Sequence, residues 1–349
     1  MMETRKKMKT IAIHNRKNSF SDDWIRYCED NNIPFKLVDC YSNDIFEQIE
    51  DCDALMWHWD HMDHAASLFA RQLTYSLEKM GKKVFPDLNT CRFFDDKIGQ
   101  KYLFEALGVP HVPTYIFYDK QKALEWVEKA EFPKVFKLSK GAGSANVRLV
   151  KSKEEAEKLI KTAFGKGFKP VASYFSDISR RVKKKKTITD MYKALIRMPE
   201  SIYAILMSNL QMNREKGYVY FQDFIPDNTF DIRVVTVGNK AIALKRLCQK
   251  NDFRASGSGR LIYDKNQIDE KCVKIAFDVS KKAGFQAMAY DFVFVDKNPV
   301  LIETSYAVSH RAYDNCEGHW TSDIKWNKEK KIICYEMIEA LLEMEGEQV

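Results

Sequence analysis

Two acidic residues near the far end of the chain carry the first chemical signal. The run Met288-Ala289-Tyr290-Asp291-Phe292-Val293-Phe294-Val295-Asp296-Lys297-Asn298-Pro299-Val300-Leu301-Ile302-Glu303-Thr304-Ser305 reads as two apolar strands joined by a short polar turn. With Asp296, Lys297 and Asn298 as the loop, Val295 faces Pro299 and, counting outward, Asp291 faces Glu303. Directly opposed side chains lie roughly 5 Å apart at Cβ, so two carboxylates there repel unless a cation sits between them. Hard Mg²⁺ or Mn²⁺ takes oxygen ligands of this kind. The plainer alternative is a hairpin whose acids merely face water. Phe292, Phe294, Val300 and Ile302 claim one face and Val293, Val295 and Leu301 the other, which speaks against it.

Three further stretches hold reactive or charged groups. Ser139-Lys140-Gly141-Ala142-Gly143-Ser144-Ala145 lies between two predicted strands, and its backbone N–H groups can close over phosphates with Lys137 as a point charge. A glycine-rich hairpin loop without ligand explains those residues equally well, and no Gly-Lys-Ser/Thr follows to make it a Walker loop. Trp57-His58-Trp59-Asp60-His61-Met62-Asp63-His64 follows a predicted strand. His58, His61 and His64 suit a transition-metal site, a substrate-lining loop or a solvated one, since the carboxyl end of a parallel strand is where such sheets bind ligands. Arg180, Arg181, Lys183, Lys184, Lys185 and Lys186 form a basic run. It reads as a solvated face, or as a dock for an acidic polymer, an anionic membrane surface or RNA.

The elements that must position these groups fall into two regimes. Strands over 9–14, 35–39, 53–57 and 83–86 alternate with helices over 21–31, 44–50 and 65–80, which is the pattern of a small parallel α/β domain. Ser21 is the expected N-cap of the first helix. No Gly-x-Gly-x-x-Gly follows the first strand, so an ordinary dinucleotide site is absent. From Asp95 onward the spacing changes. Asp96 caps a helix over 97–107, strands are expected over 115–117, 132–138 and 148–150, and Ser152 with Glu155 makes a capping box. A helical region over 189–210, a strand over 218–225, a hairpin about Gly238-Asn239, a helix over 269–283 and a last amphipathic helix over 328–343 complete the chain.

Composition bounds the rest. A chain of 349 residues with 45% hydrophobic and 13% aromatic content suits two or three globular domains. No apolar run approaches the roughly 20 residues of a membrane span, and the apolar patch at 10–13 is too short for a signal-peptide core, so a cytoplasmic chain is expected. Eight cysteines without a Cys-x-x-Cys pair fit buried free thiols in a reducing compartment. Residues 165–220 carry twelve Lys/Arg against four Asp/Glu, an excess that accounts for the net charge of +7 and argues against a general nucleic-acid coat.

Taken together, the order of motifs resembles the ATP-grasp superfamily, and within it the RimK-type amino-acid ligases, from about Asp95 to Ser305 with the basic stretch (about 166–217) as an insertion. The resemblance implies an α/β N-terminal pre-ATP-grasp domain over 1–92. An α+β ATP-grasp fold would follow, its two subdomains, 93–221 and 222–349, sandwiching the nucleotide. Carried over residue by residue, Lys97 resembles the first nucleotide lysine and Lys137 the second. Gly141, Gly143 and Ser144 fall in the flexible loop over the triphosphate. Gln222-Asp223-Phe224-Ile225 is similar to the hinge strand at the adenine edge, Asp231 looks like the ribose ligand, and Arg233 and Arg246 sit near the transferred phosphate. Asp252-Phe253-Arg254 matches the family's Asp-Phe-Arg, with Ser256 where the family has Asn. Asp291 and Glu303 fall on the two metal carboxylates, and Ser305 replaces the Asn of the Glu-x-Asn motif, a shorter and weaker Mg²⁺ ligand.

The implied activity is an ATP- and Mg²⁺- (or Mn²⁺-) dependent carboxylate–amine ligase acting on small-molecule substrates, with a homo-oligomer compatible. His310 and Arg311, just beyond the metal strand, are candidates to grip the acid substrate. A kinase of the same fold, and a non-catalytic ATP-binding module that docks an acidic partner through the basic run, are the competing readings.

Overall fold

The computed structural model describes residues 10–60, 63–141, 146–169, 214–249 and 252–343. Four short strands, β1 (Ile11–His14), β2 (Phe35–Val38), β3 (Ala54–Met56) and β4 (Lys83–Phe85), form a parallel sheet in the order β2-β1-β3-β4. The helices between them are α1 (Phe20–Asp30), α2 (Ile45–Gln48) and α3 (His64–Lys79). Such crossovers cover both faces, so β1 and β3 are apolar and buried at every position but His14. The expected cap Ser21 is displaced: Ser19 is the N-cap residue of α1, and Ser21 instead donates its hydroxyl proton to the Arg16 carbonyl at 3.0 Å.

A short helix, α4 (Leu88–Cys91), leads to α5 (Lys97–Ala106), whose N-cap Asp96 accepts the Gly99 N–H at 3.0 Å as the sequence predicts. Next comes an antiparallel sheet in the order β5-β8-β6-β7, built from β5 (Thr114–Phe117), β6 (Lys134–Lys137), β7 (Val147–Val150) and β8 (Val219–Asp223). Helices α6 (Lys120–Val127) and α7 (Lys153–Ala163) cover one of its faces, with Val127, Ala156, Ile160, Phe136 and Phe221 in a common core. Ser152 caps α7 as expected.

The largest sheet is antiparallel and holds the hairpin. Its order is β13-β12-β9-β10-β14-β15, from β9 (Phe230–Val237), β10 (Lys240–Leu247), β12 (Ala287–Val295), β13 (Asn298–Ser305), β14 (His319–Thr321) and β15 (Trp326–Asn327). A two-residue strand, β11 (Leu261–Ile262), pairs with β10. Helix α8 (Glu270–Ala283) stops at Gly284, whose φ of 68° is the left-handed C-cap that glycine adopts without strain. Its residues Cys272, Val273 and Ala276 pack with Ile232, Val234, Tyr290 and Phe292 on one face of the sheet. On the other, Val235, Ile242 and Ala289 meet Phe20 and Trp24 of α1 and the last helix, α9 (Ile333–Glu343). That helix begins five residues later than the sequence pattern suggests.

The hairpin turn differs from the three-residue loop expected. Val295 pairs with Asn298, leaving a two-residue turn in which Asp296 and Lys297 have φ of 49° and 63°, the doubly left-handed geometry that matches strand twist. That register would set Asp291 opposite Ile302. A bulge between Asp291 and Phe292 absorbs one residue, so Phe292 pairs with Leu301 and Asp291 still pairs with Glu303.

Candidate functional site

A cavity of about 400 Å³ opens between the two antiparallel sheets, with His58 and Asp60 from the loop after β3 at its edge. The four-stranded antiparallel sheet contributes Lys137 of β6 and Gln222 and Asp223 at the end of β8, followed by Phe224 and Ile225. The large sheet contributes Asp231 and Arg233 of β9, Arg246 of β10, Asp291 of β12 and Glu303 and Ser305 of β13. Lys97 at the first turn of α5, Gly141, and Arg254 and Ser256 of the following loop complete the rim. Every described residue that the resemblance assigns to nucleotide, phosphate or metal lines this cavity, whereas the substrate candidates His310 and Arg311 do not; Gly143, Ser144, His61 and the basic run from Arg180 to Lys186 lie outside the described residues.

Asp291 and Glu303 share the cavity but not the same company. Arg233 grips Asp291 with two parallel bonds, Nε to Oδ1 at 2.5 Å and Nη2 to Oδ2 at 2.6 Å. Arg246 adds a contact of 2.9 Å to Asp291 Oδ2 and holds both oxygens of Asp231 at 2.6 Å. Burial works against the charge of Asp291, but the two guanidiniums outweigh it and hold its carboxyl well below the usual range. For Asp231 burial wins over Arg246, and its carboxyl is pushed up. Glu303, a third exposed, meets only Lys97 among the ion pairs formed by described residues, at 3.2 Å.

The two lysines are buried and are driven in opposite directions. Burial disfavours the Lys97 ammonium, yet Glu303 and Asp95 together overcome it and raise its pKa, and it donates to the Gly141 carbonyl at 2.8 Å. Lys137 has weaker compensation, and burial lowers it to about 8. The root of the glycine loop is fastened by Glu215, which accepts the N–H groups of Ser139 and Lys140 at 3.0 and 3.3 Å, and by Asp95, which accepts that of Gly141 at 2.7 Å.

Asp291 and Glu303 supply hard oxygen donors of the kind a divalent magnesium-class ion takes, and their opposed register brings both into the cavity. The donor set fits such an ion provided Arg233 and Arg246 release Asp291, which the presence of anionic phosphates would favour by attracting both guanidiniums. Ser305 is committed elsewhere as a donor, its hydroxyl bonding the Ala307 carbonyl at 2.9 Å. Arg254 turns back on Asp252 in a two-bond pair at 2.8 and 2.9 Å while lining the cavity wall.

Several supporting residues escaped the sequence reading. Gln100 on α5 is buried and brackets Thr304, donating to its carbonyl at 2.9 Å and accepting its N–H at 3.1 Å, which fixes the strand between Glu303 and Ser305. Tyr306 donates to the Trp59 carbonyl at 2.7 Å and so ties the end of β13 to the loop after β3. His58, from that loop, lines the cavity; its Nδ1 accepts the Phe20 N–H at 3.4 Å and lies 2.8 Å from the Ser19 hydroxyl, and burial lowers its pKa to about 3. His64 opens α3. The three-histidine metal site is therefore not assembled by the described members. His310 does not line the cavity either; its ring points to Asp23. Nothing in the periodicity of the sequence separates Gln100 or Tyr306 from ordinary core positions.

Residues 182–332 match the family model described as the RimK-like ATP-grasp domain. Among solved structures, a RimK domain ATP-grasp protein from Sphaerobacter thermophilus is 14% identical, with 95% of this chain and 99% of that one covered and a TM-score of 0.57. D-alanine–D-alanine ligase from Bacillus anthracis is 13% identical, with 96% of both chains covered and a TM-score of 0.55. The biotin carboxylase domain of Hydrogenobacter thermophilus 2-oxoglutarate carboxylase, solved with MgADP, ADP and bicarbonate, is 15% identical, with 95% of this chain and 69% of that one covered and a TM-score of 0.56. No curated protein matches the chain. Identities this low speak to the fold alone. Among the described residues no helix is long and apolar enough to cross a membrane.

Proposed function

We propose that this chain, which carries a RimK-like ATP-grasp domain within an ATP-grasp fold, is an ATP-dependent carboxylate–amine ligase that works through an acylphosphate. The observation that carries the reading is the convergence of Asp291 and Glu303 with Lys97, Lys137, Arg233, Arg246 and Arg254 on one cavity between the two antiparallel sheets. Its domain layout would be that of 1–92, 93–221 and 222–349.

In this reading the adenine lies along 222–225 and Asp231 bonds the ribose once Arg246 turns to phosphate. Lys97 and Lys137 hold the phosphates, with Gly141, Gly143 and Ser144 above them. Asp291 and Glu303, with Ser305 at the rim, would hold Mg²⁺, which would offset the negative charge of the phosphates. An oxygen of the substrate carboxylate attacks the γ-phosphorus and the bond to ADP breaks. Arg246, Arg233 and Arg254 stabilise the transferred phosphoryl group. The amine nitrogen then attacks the acyl carbon, phosphate leaves, and the amine loses a proton. Two arginines held against Asp291 before nucleotide binds are a store of positive charge already placed beside the reacting phosphate.

The test is an ADP-release screen of amino acids and uronic acids offered in carboxylate–amine pairs, with product mass read in parallel. A ligase gives ADP, phosphate and an amide only when both partners are present. Steady ADP release with a phosphorylated product and no amine requirement would replace this reading with the kinase one. ATP binding without turnover for any pair would favour the binding module.

A further inference from the structure

On the opposite side of the large sheet from α8, three side chains distant in sequence converge. They are Asp23 of α1, His310 in a short 3-10 turn (His310–Tyr313), and Cys334 at the start of α9. One donor atom from each lies within 4.8 Å of the other two. Asp23 and Cys334 are buried, and none of the three lines the nucleotide-sized cavity. Phe20 stands between this cluster and the cavity, stacked flat on His58 at 3.6 Å and edge-on to His310 at 5.3 Å.

The geometry of the pair is the informative part. His310 Nε2 is 3.1 Å from Asp23 Oδ2, yet it is sealed from solvent and makes no properly directed hydrogen bond. A histidine and a carboxylate that shared a proton would align along that line. Donor atoms at this separation that do not point at one another fit two corners of a coordination tetrahedron, where ligands about 2.0–2.3 Å from an ion are themselves roughly 3–4 Å apart. Asp23 is steadied from outside, as Arg26 donates to its other oxygen at 3.3 Å, the arrangement by which an outer partner orients a ligand.

We propose that Asp23, His310 and Cys334 form a three-ligand site for a zinc-class divalent ion that fastens the last helix to α1. One imidazole, one carboxylate and one thiolate make a borderline-soft set that suits Zn²⁺ and disfavours Mg²⁺, and water completes the tetrahedron. The charges also close: carboxylate and thiolate balance a dication, so the burial that penalises any one of them alone is relieved. Without metal, burial and a hydrogen bond donated to Asp23 keep the Cys334 thiol protonated well above its ordinary range, and burial lowers His310. Metal binding releases that thiol proton to solvent. The helices already touch nearby, where Tyr27 donates to Glu339 at 2.9 Å and packs on Tyr335 with ring centres 4.8 Å apart. The ion would lock that contact.

The test uses the untagged full chain, incubated with zinc and dialysed with excess Mg²⁺ to fill any all-oxygen site. About one zinc per chain is expected, falling at least about fivefold in His310→Ala and Asp23→Asn. Cobalt in place of zinc is expected to show a thiolate-to-metal absorption band that Cys334→Ser abolishes. Chelation is expected to lower the melting midpoint of the wild-type chain by about 5 °C or more. If a variant fails to fold, the wild-type zinc content, cobalt band and chelation shift still decide the matter. Zinc lost on dialysis, a cobalt complex without the thiolate band, or a midpoint indifferent to chelation would overturn the proposal.

Discussion

Two clusters built around an aspartate show how partners decide what a carboxylate is for. Asp291 sits in a cavity wall and is held by two guanidiniums, with a second carboxylate, Glu303, directly across the ladder. Asp23 sits in the core beside an imidazole and a thiol, with one arginine on its far oxygen. The first cluster is rich in positive charge and in oxygen, which suits phosphate and a hard ion. The second has soft and borderline donors and little room, which suits a tightly held structural ion. The imidazole and thiolate of the second set disfavour Mg²⁺, while the all-oxygen first set suits it.

The largest effect is expected at the paired carboxylates. Asp291→Asn with Glu303→Gln is expected to reduce Mg²⁺-dependent ADP release by about 1000-fold or more, measured by coupled ADP assay. Unchanged release would remove both residues from metal binding. Next, Arg246→Met leaves Asp231 and part of Asp291 buried without their partner, and a stability loss of about 3–5 kcal/mol is expected by denaturant titration. A loss below about 1 kcal/mol would mean that water reaches the pair. Gln100→Leu orphans the backbone groups of buried Thr304 and should cost roughly 2–3 kcal/mol, with ADP release falling about tenfold as Glu303 loses its register.

Smaller effects sharpen the contrast. Lys137 titrates at about 8 in the nucleotide-free chain, so nucleotide affinity should fall by up to about tenfold per pH unit above that point, and Lys137→Met should flatten the profile. The stability sign is opposite. The folded pKa is depressed below that of an unfolded lysine, so the unfolded chain binds more protons between about pH 8 and 10.4 and the free protein gains stability as pH rises through that window. His310→Ala, finally, should leave ADP release within about twofold. A large loss there would merge the two clusters into one functional unit.

What the sequence made legible follows from what each feature depends on. Alternation of strands and helices, caps such as Asp96 and Ser152, and the stop at Gly284 are local, and the structure has them where the pattern put them. The opposition of Asp291 and Glu303 came out as expected for a reason the count did not contain: a tighter turn and a bulge cancel. A two-residue turn at Asp296-Lys297 needs two non-glycine residues with positive φ, which residue type alone disfavours. Pairings across hundreds of residues were invisible. Gln100 with Thr304, and Asp23 with His310 and Cys334, rest on how separate sheets and helices pack, and no spacing rule reports that.

In the proposed mechanism a carboxylate oxygen takes the γ-phosphoryl group and leaves with it as phosphate when the amine attacks. The most direct measurement uses the acid substrate found in the pair screen, with its carboxylate labelled with ¹⁸O. The expected result is one labelled oxygen in each phosphate released, with amide formed in equal amount. Amide formed with unlabelled phosphate would contradict it.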